Sequence, residues 1–285
     1  MEKIKLLANA KINLFLDIES KRADGYHNIV SLMQSVMLHD TVTVSFEPSN
    51  EKRIEITVND PKIPCDAKNI AYKAADRLLD SGHVKIEIEK NIPSPAGLAG
   101  GSADAAAVIW ALRKFGCISK THDEIMKIAS GIGADVPFCL VGGSKKIGGI
   151  GDIITDIDPI PSLNLVIAID GEGVSTPLAY ASLDRTYGDF VDHTVRDFDF
   201  DNFTLDSAYN IFEDVVLEER PKARALMDQM YTLGAIKSIM SGSGPSIVGV
   251  FNTSVEADAA ARCLNEKGIF AVSCITAKQG ICEIL

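Results

Sequence analysis

Lys11 and Asn13 stand two residues apart in Ala10-Lys11-Ile12-Asn13-Leu14-Phe15-Leu16, where polar and apolar residues alternate. In a strand that spacing puts ammonium and amide on one face, ~7 Å apart. A lysine so placed can meet an anion or keep a nearby carboxylate ionised; at a strand edge it is only a solvated charge. Asp135 is the one carboxylate in Gly131-Ile132-Gly133-Ala134-Asp135-Val136-Pro137-Phe138. Among small and apolar neighbours, desolvation and a nearby charge can tune a proton acceptor. The plainer alternative is that Asp135 caps a short helix.

A third run, Pro93-Ser94-Pro95-Ala96-Gly97-Leu98-Ala99-Gly100-Gly101-Ser102-Ala103, lies between a strand-like and a helix-like segment. Its glycines let backbone amides turn toward a ligand. The following helix presents unpaired amides and its positive end at Gly101, Ser102 and Ala103, which suits an anion. Ala105, Val108, Ile109 and Leu112 recur at i, i+3, i+4 and i+7, so a core fixes that helix. No Gly-Lys-[Ser/Thr] occurs, which excludes a Walker P-loop. The spacing of Gly97, Gly100 and Gly101 is not that of a Rossmann turn. A phosphate loop of another kind, or a plain tight turn, remains. The run Met240-Ser241-Gly242-Ser243-Gly244-Pro245-Ser246 reads as an inter-strand turn that would also admit a close substrate or phosphate.

The elements that must position these residues follow from periodicity. Alternation over the first 18 residues predicts a half-buried strand, with Lys11, Asn13 and Asp17 opposite Ile12, Leu14 and Leu16. Strands are expected over 41–46, 53–58, 84–89, 163–169, 235–240, 247–251 and 269–275. Helices are expected over 68–79, 102–115, 122–129, 176–183, 207–217, 221–233 and 255–265. The Pro-containing stretch 156–162 reads as a linker, which gives two α+β domains, 1–157 and 158–285, meeting at a cleft. The aspartate-rich stretch 187–202 reads as an exposed excursion.

Composition narrows the function. With 28 Lys+Arg against 39 Asp+Glu, the net charge of −11 argues against nonspecific nucleic-acid binding, though not against an anionic small molecule. Hydrophobic residues at 46% exclude an intrinsically disordered chain. Six cysteines without zinc or CxxC spacing suggest reduced thiols. With no secretory leader and no ~18-residue apolar run, a cytoplasmic protein is expected, without a membrane partner.

Taken together, the Ala10 to Leu16 run, Arg22-Ala23-Asp24-Gly25-Tyr26-His27, the stretch from Ile92 to Ala107, and Gly133-Ala134-Asp135-Val136-Pro137-Phe138 resemble the GHMP kinases. The 241–245 turn and Ser175-Thr176-Pro177 fit as well. The Tyr-His run resembles the branch of that family acting on a cytidine diphosphate methylerythritol in isoprenoid precursor synthesis. The resemblance implies an α+β two-domain fold, the first domain like domain 2 of ribosomal protein S5 and the second ferredoxin-like, with the site in the groove between them. It implies ATP-dependent phosphorylation of the substrate's C2 hydroxyl, with Mg²⁺, by a monomer or weak homodimer. It assigns Lys11 and Asp135 to catalysis and Pro93, Ser94, Pro95, Ala96, Gly97, Leu98, Ala99, Gly100, Gly101, Ser102 and Ala103 to ATP. Tyr26 would stack on the base, His27 would bond its edge, Asn13 would line the substrate, and Tyr180 would supply a second ring. Magnesium would ride on the phosphates, with Ser102 the candidate hydroxyl beside it. Ala99 and Ala103 depart from the family's usual glycine and serine. A kinase for another small alcohol of the homoserine or mevalonate type, or a non-catalytic nucleotide-binding regulator, are the alternatives.

Overall fold

The computed structural model describes residues 2–171, 175–191 and 193–284. Two long strands, β1 (Glu2–Lys21) and β2 (His27–Glu47), form an antiparallel hairpin. Then come β3 (Lys52–Val58), α1 (Ile70–Leu78), β4 (Gly82–Glu89), α2 (Gly100–Lys114), α3 (His122–Ser130) and α4 (Val136–Val141). The chain continues through β5 (Ser144–Gly148), β6 (Ile153–Asp156), β7 (Asn164–Ile169) and α5 (Thr176–Tyr187). The remainder is β8 (Tyr209–Asn210), α6 (Glu213–Glu219), α7 (Pro221–Thr232), β9 (Lys237–Met240), β10 (Ile247–Phe251), α8 (Ser254–Glu266), β11 (Phe270–Ile275) and β12 (Ile281–Ile284).

One sheet has eight strands along the path β12-β1-β2-β4-β3, with β5, β6 and β8 joined beside it. The other has the order β11-β7-β10-β9, all antiparallel. With α7 and α8 packed on that sheet, the second half is a split β-α-β unit of ferredoxin type. Helices start where local chemistry tells them to: Asn69 caps α1 through Ala71 N, and Thr121 with Glu124 makes a capping box for α3.

Two expectations are corrected. β1 is not half-buried: Lys11, Asn13 and Asp17 are as buried as Ile12 and Leu14. The helix α2 covers one side of the strand, and the second half of the chain closes over its polar side. Residues 207–217 are not one helix. A 3-10 turn at Leu205–Ser207 leads into β8, parallel to Phe15 and Leu16, and α6 begins only afterwards. Asn210 breaks the helix, its amide donating to the carbonyls of Met240 and Gly242 while Phe212 N donates to its oxygen.

The aspartate-rich stretch is exposed over most of its described length, as expected, but it is pinned to the fold at several points; Asp192 lies outside the described residues. Phe190 is buried, and Phe198 lies 4.2 Å from the Phe15 ring, centroid to centroid. Buried Asp17 accepts from Arg196 N and pairs with His193 Nε2, both at 2.9 Å. Aromatic residues interleaved with the aspartates turn inward and strap the segment to β1.

Candidate active site

A cavity of about 620 Å³ opens between the two halves. Lys11, Asn13 and Asp135 line one part of it; Tyr26, His27, Tyr180 and Asp184 line another. Gly97 reaches it from the glycine loop, and Gly242 and Ser243 from the 240–246 turn.

Lys11 is not a strand-edge surface residue. Only 5% of it is exposed, with β2 on one side and Leu98 on the other, whose carbonyl accepts from Lys11 N. Its Nζ donates to Asn13 Oδ1 at 2.8 Å and lies 3.9 Å from Asp135 Oδ2. Asn13 Nδ2 in turn donates to Ser31 Oγ, which donates to Phe15 O. The ammonium is thereby held on the cavity wall. Asp135 sits at the N-cap position of α4, yet its side chain makes no capping bond. It faces Lys11 instead.

The glycine loop and the 240–246 turn dock on each other. Ser241 Oγ donates to Gly97 O and Ser246 Oγ to Ala96 O. The turn is itself clamped, by Asn210 on two carbonyls and by Glu213, whose Oε1 accepts from Met240 N at 2.8 Å. Thr176 at the start of α5 meets Ser243, hydroxyl to hydroxyl at 3.1 Å. Burial pushes the Glu213 carboxyl up to about 7, against the Met240 hydrogen bond and the attraction of Lys237. A carboxyl that binds its proton more tightly when folded makes the fold lose stability as pH rises from about 4.5 to about 7. Glu213→Gln keeps an acceptor for Met240 N without the charge. Urea unfolding should show it gaining on the order of 2 kcal/mol more at pH 8 than at pH 5, relative to the parent. An equal gain at both pH values would refute that origin.

At the start of α2, the Ala99 cap offers no side-chain acceptor. Among the described residues the amides of Gly100, Gly101 and Ser102 donate to no protein group. This 15-residue helix therefore presents an open, positive amino end. A nucleotide phosphate fits it. Ala99 holds φ 59°, ψ 30°, the left-handed conformation in which glycine would be unstrained. Ala103 and Leu98 are in the core and present only backbone to the loop. Beneath the loop, Lys90 bridges the buried carboxylates of Asp40 and Asp104, and burial holds the Asp104 carboxyl well above its usual range. Among the described residues no group of three or more His, Cys, Asp or Glu could hold a metal ion.

At the other end, Tyr26 is 62% exposed at the cavity mouth, on the tight turn joining β1 and β2. There Arg22 grips Asp24, and Asp24 Oδ1 accepts from Tyr26 N. His27 is buried, stacked on Tyr180 with centroids 4.8 Å apart and tilted 24°. Burial and the charge of Asp135 push the Tyr180 hydroxyl up to about 12. Asp184, which sequence reasoning passed over, pairs with both His27 and Lys21. Its signal was local: Tyr180 and Asp184, four residues apart on α5, share a face. Asn210 and Glu213 had no such signal.

A long hairpin, an uncapped helix end after a glycine loop, and a lysine–aspartate pair between an α+β half and a ferredoxin-type half describe a small-molecule kinase fold. The family model for the GHMP kinases N terminal domain matches residues 69–143, and that for the GHMP kinases C terminal domain matches 199–269. The chain belongs to the GHMP kinase family. More particularly, it is 39% identical over 262 residues to 4-diphosphocytidyl-2-C-methyl-D-erythritol kinase of Caldicellulosiruptor saccharolyticus, covering 88% of this chain and 89% of that one. With the same-named protein of Acetivibrio thermocellus it shares 37% identity over 94% and 95% of the two chains. A crystal structure of 4-(cytidine 5'-diphospho)-2C-methyl-D-erythritol kinase superposes with a TM-score of 0.76 at 29% identity, covering 96% and 99%. No helix among the described residues is long and apolar enough to cross a membrane.

Proposed function

We propose that this chain transfers the γ-phosphoryl group of ATP to the C2 hydroxyl of 4-(cytidine 5'-diphospho)-2-C-methyl-D-erythritol, giving the 2-phosphate and ADP, in the cytoplasm and on the route to isoprenoid precursors. One observation carries the reading: the Lys11–Asp135 pair and the Tyr26–His27 pair lie on the same cavity, where one couple can serve an alcohol and the other a base.

Phosphoryl transfer asks a protein for positioning and charge neutralisation. The α2 amides and the 93–103 loop hold the nucleotide phosphates, and the 158–285 half closes the groove over them. Asp135 takes the hydroxyl proton as the new O–P bond forms and the bond from Pγ to the ADP oxygen breaks. Lys11 pairs with Asp135 at 3.9 Å and faces the charge growing on the transferred group. Asn13 holds Lys11 in place and lines the substrate. Mg²⁺ would supply charge neutralisation on the phosphates, and Ser102, at the start of α2, is the hydroxyl that would help hold it. Tyr26 stacks on the base, His27 bonds its edge, and Tyr180 backs His27.

The reading is tested by ADP release with a panel of alcohols. The cytidine diphosphate methylerythritol should turn over, while homoserine and mevalonate should not. Turnover of either of those in its place would overturn the assignment.

A further inference from the structure

The fold commits one of the two ring nitrogens of His27 and leaves the other free. Nε2 lies 2.7 Å from Asp184 Oδ1, and the second oxygen of Asp184 lies 3.1 Å from Lys21 Nζ. Burial pushes the Asp184 carboxyl up, but the hydrogen bonds from His27 and Lys21 outweigh it and hold it below the usual range. An ionised carboxylate only accepts, so Nε2 carries the hydrogen. The ring cannot turn away, because Tyr180 lies on its face and Phe190 sets its edge against it at 5.5 Å and 80°. Lys21 is equally fixed, as the β1 residue directly opposite His27 in the hairpin register.

Among the described residues no hydrogen bond is made to Nδ1, and His27 lines the cavity. In a neutral imidazole whose Nε2 is protonated, Nδ1 is purely an acceptor. It rewards a ligand that brings a donor and repels one that brings a carbonyl. Cytosine and uracil differ in just this way, an exocyclic amine standing in one where the other has an oxygen.

We propose that Asp184, anchored by Lys21, is a positioning residue that fixes His27 in the Nε2–H form and so makes the site select an amino-bearing pyrimidine over uracil. The inference rests on the cytidine reading above, but the tautomer does not. The charged and titratable groups around the ring are Lys21 from β1, Asp184 and Tyr180 from α5, and Asp189, which reaches Lys21 at 3.6 Å.

Two measurements decide it. In the ligand-free protein at pH 8, ¹⁵N shifts of His27 should show Nε2 protonated and Nδ1 bare, and Asp184→Asn, which can donate as well as accept, should mix the tautomers. In kinetics, the parent should prefer the cytidine substrate over its uridine counterpart by roughly 10–100-fold in kcat/KM, the worth of one mispaired buried hydrogen bond. Asp184→Asn should shrink that ratio about tenfold, chiefly through KM, and Asp184→Glu should restore part of it. A merely structural role would weaken both substrates alike, and that result overturns the inference. So does a parent His27 protonated on Nδ1 at pH 8. A fixed Nε2–H form without turnover of the cytidine substrate would instead overturn the functional reading and leave the tautomer assignment standing.

Discussion

Asp135→Asn is expected to lower kcat by ~10²–10⁴-fold, the usual worth of a positioned general base, while KM for ATP moves by less than about threefold. The substitution is nearly isosteric, and because the Asp135 side chain makes no capping bond to α4, removing its charge does not undo a helix start. What it removes is the carboxylate proposed to take the hydroxyl proton, which is also the partner of Lys11 at 3.9 Å. Lys11→Met should cost a similar factor for a different reason. The carboxylate then stands without its counter-charge, and the transferred group loses the cation facing it. The two losses should not add, since both residues serve one proton transfer. Single-turnover kinetics on the two variants and the double variant, with thermal unfolding as the folding control, check this. Near-parental turnover by Asp135→Asn would remove it from the chemistry.

Lys11, Asp135 and the glycine loop were legible because each is a local string whose chemistry depends on immediate neighbours. The burial of Lys11 was not. Alternation reports two faces of a strand, but it cannot report that the second half of the chain will cover the polar one. Residues 207–217 show the same limit. Their helical periodicity is overridden by Asn210, whose partners lie some 30 residues onward, at Met240 and Gly242. In the aspartate-rich stretch, net charge hid the pattern that decided the outcome: Phe198 and Phe200 alternate with aspartates and find Phe15, far away in sequence. Asp184 belongs to the same class, being tied to His27 across 157 positions. Local chemistry was readable from the chain, whereas the partners that fix its geometry come from tertiary closure.

The closest approach in the site gives the second large effect. Gly97 has φ +73°, and a Cβ there would stand 2.4 Å from the Ser241 carbonyl oxygen. The nearest atoms, Ser241 O and C and Gly244 O, are all backbone, so none can swing aside as a side chain would. Gly97→Ala must part the glycine loop from the 240–246 turn, breaking the Ser241 and Ser246 hydroxyl bonds to it. The loop also carries Leu98, whose carbonyl accepts from Lys11 N, so Lys11 moves with it. A displacement on the order of 1 Å at such a site costs roughly 10²-fold in rate, and kcat/KM should fall at least that far. Stability should drop by about 2–4 kcal/mol. Gly116 supplies the matched control, with φ +72° and nothing within 4 Å of its added Cβ. Gly116→Ala therefore bears the same left-handed backbone penalty, about 1–2 kcal/mol, without the collision. It should keep its activity. If Gly97→Ala unfolds and turns over like Gly116→Ala, the two loops are not joined in the working enzyme, and the docked turn plays no part in holding Lys11.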